Sequence, residues 1–546
     1  MRLKNSSCSI LLLILALFTF ACDSSPQKTE VKESTAPLAE AESVEAPDLA
    51  ARVEVTGGTI EGIEQDGIFI YKGIPFAAPP VGDLRWKAPA PVQPWTGIKK
   101  TDTFCDACMQ AANAMGNTAP VSEDCLYLNV WSPAKKTDEK LPVIYWVHGG
   151  GYSGGSTSTP MYDGTGFAKK GVVLVSVAYR LGAFGYLAHP ELSRESGHGS
   201  GAYGILDMIQ GLKWTKENIA RFGGDPSNVT IFGHSAGGAA VSLLTATPLT
   251  KDLLNRTICM SGGSFTPLQK SKNSGAGLGI PALELAEQNG EEFLKKLGVA
   301  DIAAARALSA EDIQNKLTGG MGGMRFRPAA DGYVISNDLY SLYQSGSFNY
   351  VPILLGHTSD EAAAFGGNQN ITPEAFENQV KAQYGTFADN ILSAYPHSTD
   401  AEAAKASKDL RNDSSFSWNT WTWSRLQAQK GTAKAFQYYF DYHPGNPEAG
   451  SGHGSDVPYA FQTLGGPEAP AAEDLKLSEM ISTYWVNFAK TGDPNGPGLP
   501  EWPAFTVKDQ KVMTFDTEPG ARPLPALERL KVIDAYFSSL REMRRR

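Results

Sequence analysis

Positive charge is in short supply in this chain. Its 546 residues carry 48 Lys and Arg against 58 Asp and Glu, a formal net charge of −10. That balance lacks the basic face a nucleic-acid partner requires. No apolar run reaches the roughly 20 residues needed to cross a bilayer as a helix. Cysteine is also sparse, with six in the whole sequence. Cys105-Asp-Ala-Cys108 has no second CxxC and no His pair at ligand spacing to complete a zinc site. Internal repeats are absent. What the chain has is apolar bulk: 42% of residues are hydrophobic and 10% aromatic, enough to bury a large core.

The first 51 residues read as processing and tether. Arg2 and Lys4 precede an apolar stretch from Ile10 to Phe20, broken only by Thr19. The stretch suits the central region of a signal peptide covering residues 1–21 and is too short to span a membrane. Phe18-Thr-Phe-Ala-Cys22 resembles a bacterial lipobox, which makes Cys22 the candidate acylated residue after cleavage. Plain secretory cleavage after Ala21 is the alternative. Residues 22–51 are rich in Glu, Ser, Ala and Pro and lack aromatics, so they predict a flexible tether. The protein is therefore expected to be exported, either anchored to an envelope membrane through Cys22 or released. Export allows disulfides, and Cys105, Cys108, Cys125 and Cys259 are the cysteines left to form them.

From residue 52 to 546 one domain is expected, alternating strand-like and helix-like stretches. Val143–Val147, Val172–Val177 and Val229–Phe232 are short apolar runs bounded by turn formers, the pattern of strands buried on both faces of a mostly parallel sheet. Ile205, Ile209, Leu212 and Ile219 recur on one face of a predicted helix over 204–222. Alternation of the two predicts an α/β fold. The Gly- and Ala-rich region 270–330, with Gly319–Gly323 at its end, predicts an insertion or lid over the sheet. Ala526–Met543 predicts a terminal helix whose negative dipole end suits Arg544–Arg546.

The chemistry sits at the centre. Val229-Thr-Ile-Phe232 runs into Gly233-His-Ser235-Ala-Gly237, followed by a helical Ala239–Leu244. A strand turning sharply into a helix exposes the central serine hydroxyl, and only small residues fit beside it. The backbone N–H after the serine then lies at a helix N-terminus, where a developing oxyanion is stabilised. Upstream, Ile144–Val147 leads into His148-Gly-Gly-Gly151-Tyr152, a candidate oxyanion loop in which glycines let N–H groups point inward.

These segments resemble the type-B carboxylesterase and cholinesterase-like family. The likeness extends from about residue 53 to the C-terminus, through YKGIPFAAPPVGDLRW, SEDCLYLNVWSP, VHGGGYSGGS, YRLGAFGYL, FGGDPSNVTIFGHSAGG, PAADG, GHTSDEAAAF, GHGSDVPYAF and TGDPNGPGLPEWP. The resemblance implies an α/β-hydrolase fold, a large twisted sheet flanked by helices with the site in a gorge. It implies a serine carboxylesterase acting on small-molecule esters through an acyl-enzyme, with no metal or organic cofactor. By position it assigns Ser235 as nucleophile, Glu361 as the acid and His453 as general base, in the chain order this fold uses. It assigns the oxyanion hole to the N–H groups of Gly150, Gly151 and Ala236. It also pairs Cys108 with Cys125, a closure worth about 3 kcal/mol on loop entropy, and finds no counterpart for Cys105 or Cys259.

Each assignment has rivals in the sequence: His148, His357, His397 and His443 for the base, and Asp331, Asp360 and Asp456 for the acid. Two residues depart from the family pattern, His234 where Glu is usual and Ala362 where Gly is usual. The first removes an anion beside the serine and predicts poor handling of choline-like substrates, more so as His234 gains charge at low pH. Phe416, Trp418, Trp421 and Trp423 form an aromatic cluster, to be read as core or as a gorge wall. An amidase or peptidase on the same fold, and a non-catalytic binding or adhesion module, are the competing functions.

Overall fold

The computed structural model describes residues 48–545 except 113, 115–116, 272–278, 319–325, 366–370, 432, 445–448 and 466–468. The signal segment, Cys22, most of the tether and Gly319–Gly323 lie outside the described residues. Near the start of the described residues, Leu49 is buried and donates its N–H to the Lys135 carbonyl at 2.7 Å.

Eleven strands build the central sheet: β1 (Ile63–Gln65), β2 (Ile68–Pro75), β3 (Tyr127–Ser132), β4 (Leu141–Val147), β5 (Val173–Val177), β6 (Gly224–His234), β7 (Arg256–Met260), β8 (Ile353–Thr358), β9 (Ala435–Phe440), β10 (Lys511–Phe515) and β11 (Gly520–Pro523). Across the sheet they run β1-β2-β3-β5-β4-β6-β7-β8-β9-β10-β11. The seven strands from β5 to β10 are parallel, and antiparallel pairs close both edges. A small separate sheet joins Arg52–Val55, Gly58–Glu61 and Ile98–Lys100.

The apolar runs behave as strands buried on both faces. Val143, Tyr145 and Val147 of β4 enter one core, while Ile144 and Trp146 enter the other. β8 does the same, with Ile353 and Leu355 on one side and Leu354 on the opposite side. Residues alternate across a strand, so a continuous apolar run supplies both layers at once. Helices cover the two faces, among them Tyr203–Asn218, whose last turn tightens into a 3₁₀ segment over Ile219–Phe222, and Ala472–Thr491. In the region expected to be an insertion, Leu283–Leu297, Ile302–Arg306 and Ala310–Thr318 are helical.

The terminal helix spans Leu527–Arg545. It docks through Phe537 on Trp418, with ring centroids 4.5 Å apart, and through Asp534 on Arg425 at 2.7 Å. Trp418, Trp421 and Trp423 are accordingly core, and of the aromatic cluster only Phe416 reaches the cavity described below.

Candidate active site

β6 ends at His234, and the next residue turns the chain. Ser235 takes φ 57° and ψ −121°, after which Ala236–Ala246 is helical. Such a backbone costs on the order of 1–3 kcal/mol for a non-glycine residue. It is held by the Ser235 N–H donating to the Met260 carbonyl at 2.9 Å. The flanking glycines are needed for close approach. A Cβ on Gly233 would stand 2.3 Å from the Gly237 oxygen, and one on Gly237 would stand 2.1 Å from the Val147 oxygen.

The hydroxyl so presented lies 2.8 Å from His453 Nε2. His453 Nδ1 in turn makes a short hydrogen bond with Glu361 Oε2. Glu361 follows β8, is fully buried, and accepts the Thr358 N–H on Oε1 at 2.8 Å. Its own N–H donates to Asn412 Oδ1 at 2.9 Å. The loops carrying Glu361 and His453 are stitched together. The Asp360 N–H donates to the Ser451 carbonyl at 2.8 Å, and the Ser451 N–H donates to Ser359 Oγ at 2.8 Å. Among sequence residues, then, the structure brings Ser235, Glu361 and His453 into one line, from segments 218 and 92 positions apart.

Burial pulls the His453 pKa down, but the charge and hydrogen bond of Glu361 outweigh it, and the net shift is upward from 6.5. For Glu361, burial pushes up, but the charge and hydrogen bond of His453 and hydrogen bonds from Ser261 and the Thr358 N–H together bring the net shift below 4.5, so the carboxylate stays ionised.

The rivals are occupied elsewhere. His148 is buried, stacks on Tyr179 with centroids 4.5 Å apart, and is pulled down to a pKa of about 4 by burial. His357 is likewise pulled to about 4 by burial and contacts Thr420 Oγ1 at 2.9 Å. His397 and His443 lie beside Glu377 and Asp441. Asp331 accepts three backbone N–H groups of its own turn, from Tyr333, Val334 and Ile335. Asp360 pairs with Lys408 at 2.8 Å, and Asp456 accepts the Tyr438 hydroxyl at 2.7 Å.

The glycine loop borders the serine. Gly150 has φ 117° and Gly151 φ 63°, conformations that an L side chain strains to adopt. Gly150, Gly151, Ser235, Ala236 and His453 line a single cavity of about 860 Å³. A residue the sequence reading did not single out holds this loop. Gln110 clamps Gly155, its Nε2 donating to the Gly155 carbonyl and its Oε1 accepting the Gly155 N–H, each at 2.9 Å. Two residues before it, Cys108 forms the disulfide with Cys125. Cys105 and Cys259 are unpaired. The cystine therefore anchors the strut that braces the glycine loop, a link carried by neither motif alone.

His453 lies between aromatics. Phe365 and Phe416 sit 5.0 and 4.9 Å from it, and the His234 ring lies 4.6 Å away. Burial, and secondarily His453, pulls the His234 pKa down to about 3. His234 is thus neutral throughout the ordinary working range. This corrects the sequence expectation that it gains charge as pH falls: burial of the ring beside His453 disfavours the cation.

The chain matches a model of the carboxylesterase family over residues 50–532. It is 37% identical to a fumonisin B1 esterase of Sphingopyxis macrogoltabida over 480 residues, covering 85% of this chain and 86% of that protein. It is 31% identical to a para-nitrobenzyl esterase of Bacillus subtilis, covering 84% of this chain and 94% of that one. A Geobacillus stearothermophilus carboxylesterase structure superposes with a TM-score of 0.78 at 31% identity, covering 88% of this chain and all of that one.

Proposed function

This chain belongs to the carboxylesterase family and is a carboxylic ester hydrolase, and on that premise we propose the following roles for its residues. Ser235 Oγ attacks the acyl carbonyl while His453 Nε2 takes its proton. Glu361 fixes the imidazole tautomer and stabilises the imidazolium. The N–H groups of Gly150, Gly151 and Ala236 stabilise the tetrahedral oxyanion. Collapse releases the alcohol with the proton from His453. Water, activated by the same imidazole, then attacks the acyl-enzyme and frees the acid. The observation that carries this reading is the unbroken hydrogen-bonded line from Ser235 through His453 to Glu361 at the cavity wall.

The test is a pH profile of kcat/KM on a p-nitrophenyl ester, with the matched anilide beside it. The base works only when neutral, and Glu361 holds its pKa above 6.5. Activity should therefore rise with pH through a single group titrating above that value. An acid limb centred below 6.5 would contradict the role given to Glu361. Faster turnover of the anilide than of the ester would favour the amidase reading instead.

We further propose that the mature chain is tethered to a membrane by acylated Cys22. The support is the lipobox-like segment ending at Cys22 and the low-complexity stretch behind it. Expressed in a bacterium that processes lipoproteins, Cys22→Ser should move the enzyme from the membrane to the soluble fraction. An unchanged distribution would refute the anchor.

A further inference from the structure

Among the described residues, the wall of the Ser235 cavity carries two arginines, Arg327 and Arg411, and no Asp or Glu. This is against the grain of a chain whose formal charge is −10. The two cations belong to different walls. Arg327 follows Phe326, which is buried against Phe293 with centroids 5.0 Å apart. Burial drives the Tyr152 hydroxyl far up and the Arg327 charge opposes that rise, so the guanidinium acts on the glycine-loop side of the cavity. Arg411 is exposed and donates to the Phe365 carbonyl at 3.4 Å, on the aromatic side, where Phe365 packs on His453. Arg327 is half-buried and the stronger of the two as a contact, because a charge counts for more where water is thinned.

We propose that this cavity selects esters bearing a free carboxylate, which Arg327 binds and Arg411 draws in from the mouth. The inference rests on the reading of Ser235 as nucleophile. A guanidinium presents a planar fork of donors that fits a carboxylate, and charged hydrogen bonds of this kind are about twice as strong as neutral ones. With no acid among the described residues of the wall, an entering carboxylate meets the two cations and no carboxylate to repel it. A neutral ester gains nothing from either, and a quaternary ammonium ester meets both as like charges. His234, neutral where an acid is usual, adds no opposing attraction.

The test compares three p-nitrophenyl esters of similar length, the hemiglutarate, the valerate and 4-(trimethylammonio)butyrate, each corrected for its hydroxide reactivity. The expected order of kcat/KM is anionic, then neutral, then cationic. The anionic ester should lead the neutral one by about tenfold or more, mostly through KM, and added salt should shrink that lead. Arg327→Gln should lower the anionic-to-neutral ratio by about tenfold, and Arg327→Lys should restore part of it. A wild-type enzyme that takes the valerate as well as the hemiglutarate overturns the inference. So does a ratio that Arg327→Gln leaves unmoved. Labelling the same preparation with a fluorophosphonate separates the two readings. An adduct on Ser235 with no anionic preference refutes only the carboxylate selectivity. No adduct and no turnover of any ester refutes both.

Discussion

Ser235→Ala is expected to lower ester hydrolysis by about a millionfold, to a residue supplied by the oxyanion donors and binding alone. The hydroxyl lines the cavity, and its hydrogen bond is to His453, so its loss removes no packing. Thermal unfolding of the variant should therefore match that of the wild type. His453→Ala should be nearly as damaging, since Ser235 then has no group at 2.8 Å to take its proton. The double variant should be little worse than either, because members of such a line act as a unit. Clear additivity of the two losses would mean that serine and histidine serve separate steps.

Glu361→Gln is the second large effect, expected at about 10⁴-fold in kcat. The new side chain keeps the size and the acceptor oxygen for the Thr358 N–H, which the carboxylate now takes at 2.8 Å. What changes is the group facing His453 Nδ1. An amide NH₂ there donates, so Nδ1 must accept and the ring proton moves to Nε2, the atom that has to receive the serine proton. The variant also loses the carboxylate charge that, with its hydrogen bond, outweighs burial at His453. Its residual activity should consequently show an acid limb displaced to lower pH. Activity within tenfold of the wild type would mean that Glu361 is a structural carboxylate only.

The strand, turn and helix around Ser235 were legible in the sequence because local sterics dictate them. Gly233 and Gly237 sit where any Cβ would meet backbone oxygens within 2.3 Å. The apolar runs of β4, β5 and β6 were legible for a similar reason, since burial on both faces leaves only small hydroxyls, Ser176 and Thr230, among their apolar residues. The assignments of Glu361 and His453 came from family resemblance, for neither has a local signature. Their pairing depends on Ser359, Asp360 and Ser451 joining two loops some 90 residues apart, and hydrogen bonds of that separation leave no trace in one sequence. Gln110 went unnoticed for the same reason: its function exists only where the disulfide-bearing loop meets Gly155. His234 was legible as a departure, but its protonation state was not. A histidine flanked by glycine and serine carries no mark of whether water reaches it, and here burial decides the matter.

The central claim is that one nucleophile, Ser235, carries the chemistry. Its most direct measurement is covalent titration with a fluorophosphonate, followed by intact-mass analysis and peptide mapping. The account requires one adduct per chain, on the peptide containing Ser235, with ester hydrolysis lost in proportion to labelling and no adduct on Ser235→Ala. Ester hydrolysis that survives full labelling, or an adduct mapped to another residue, would contradict it.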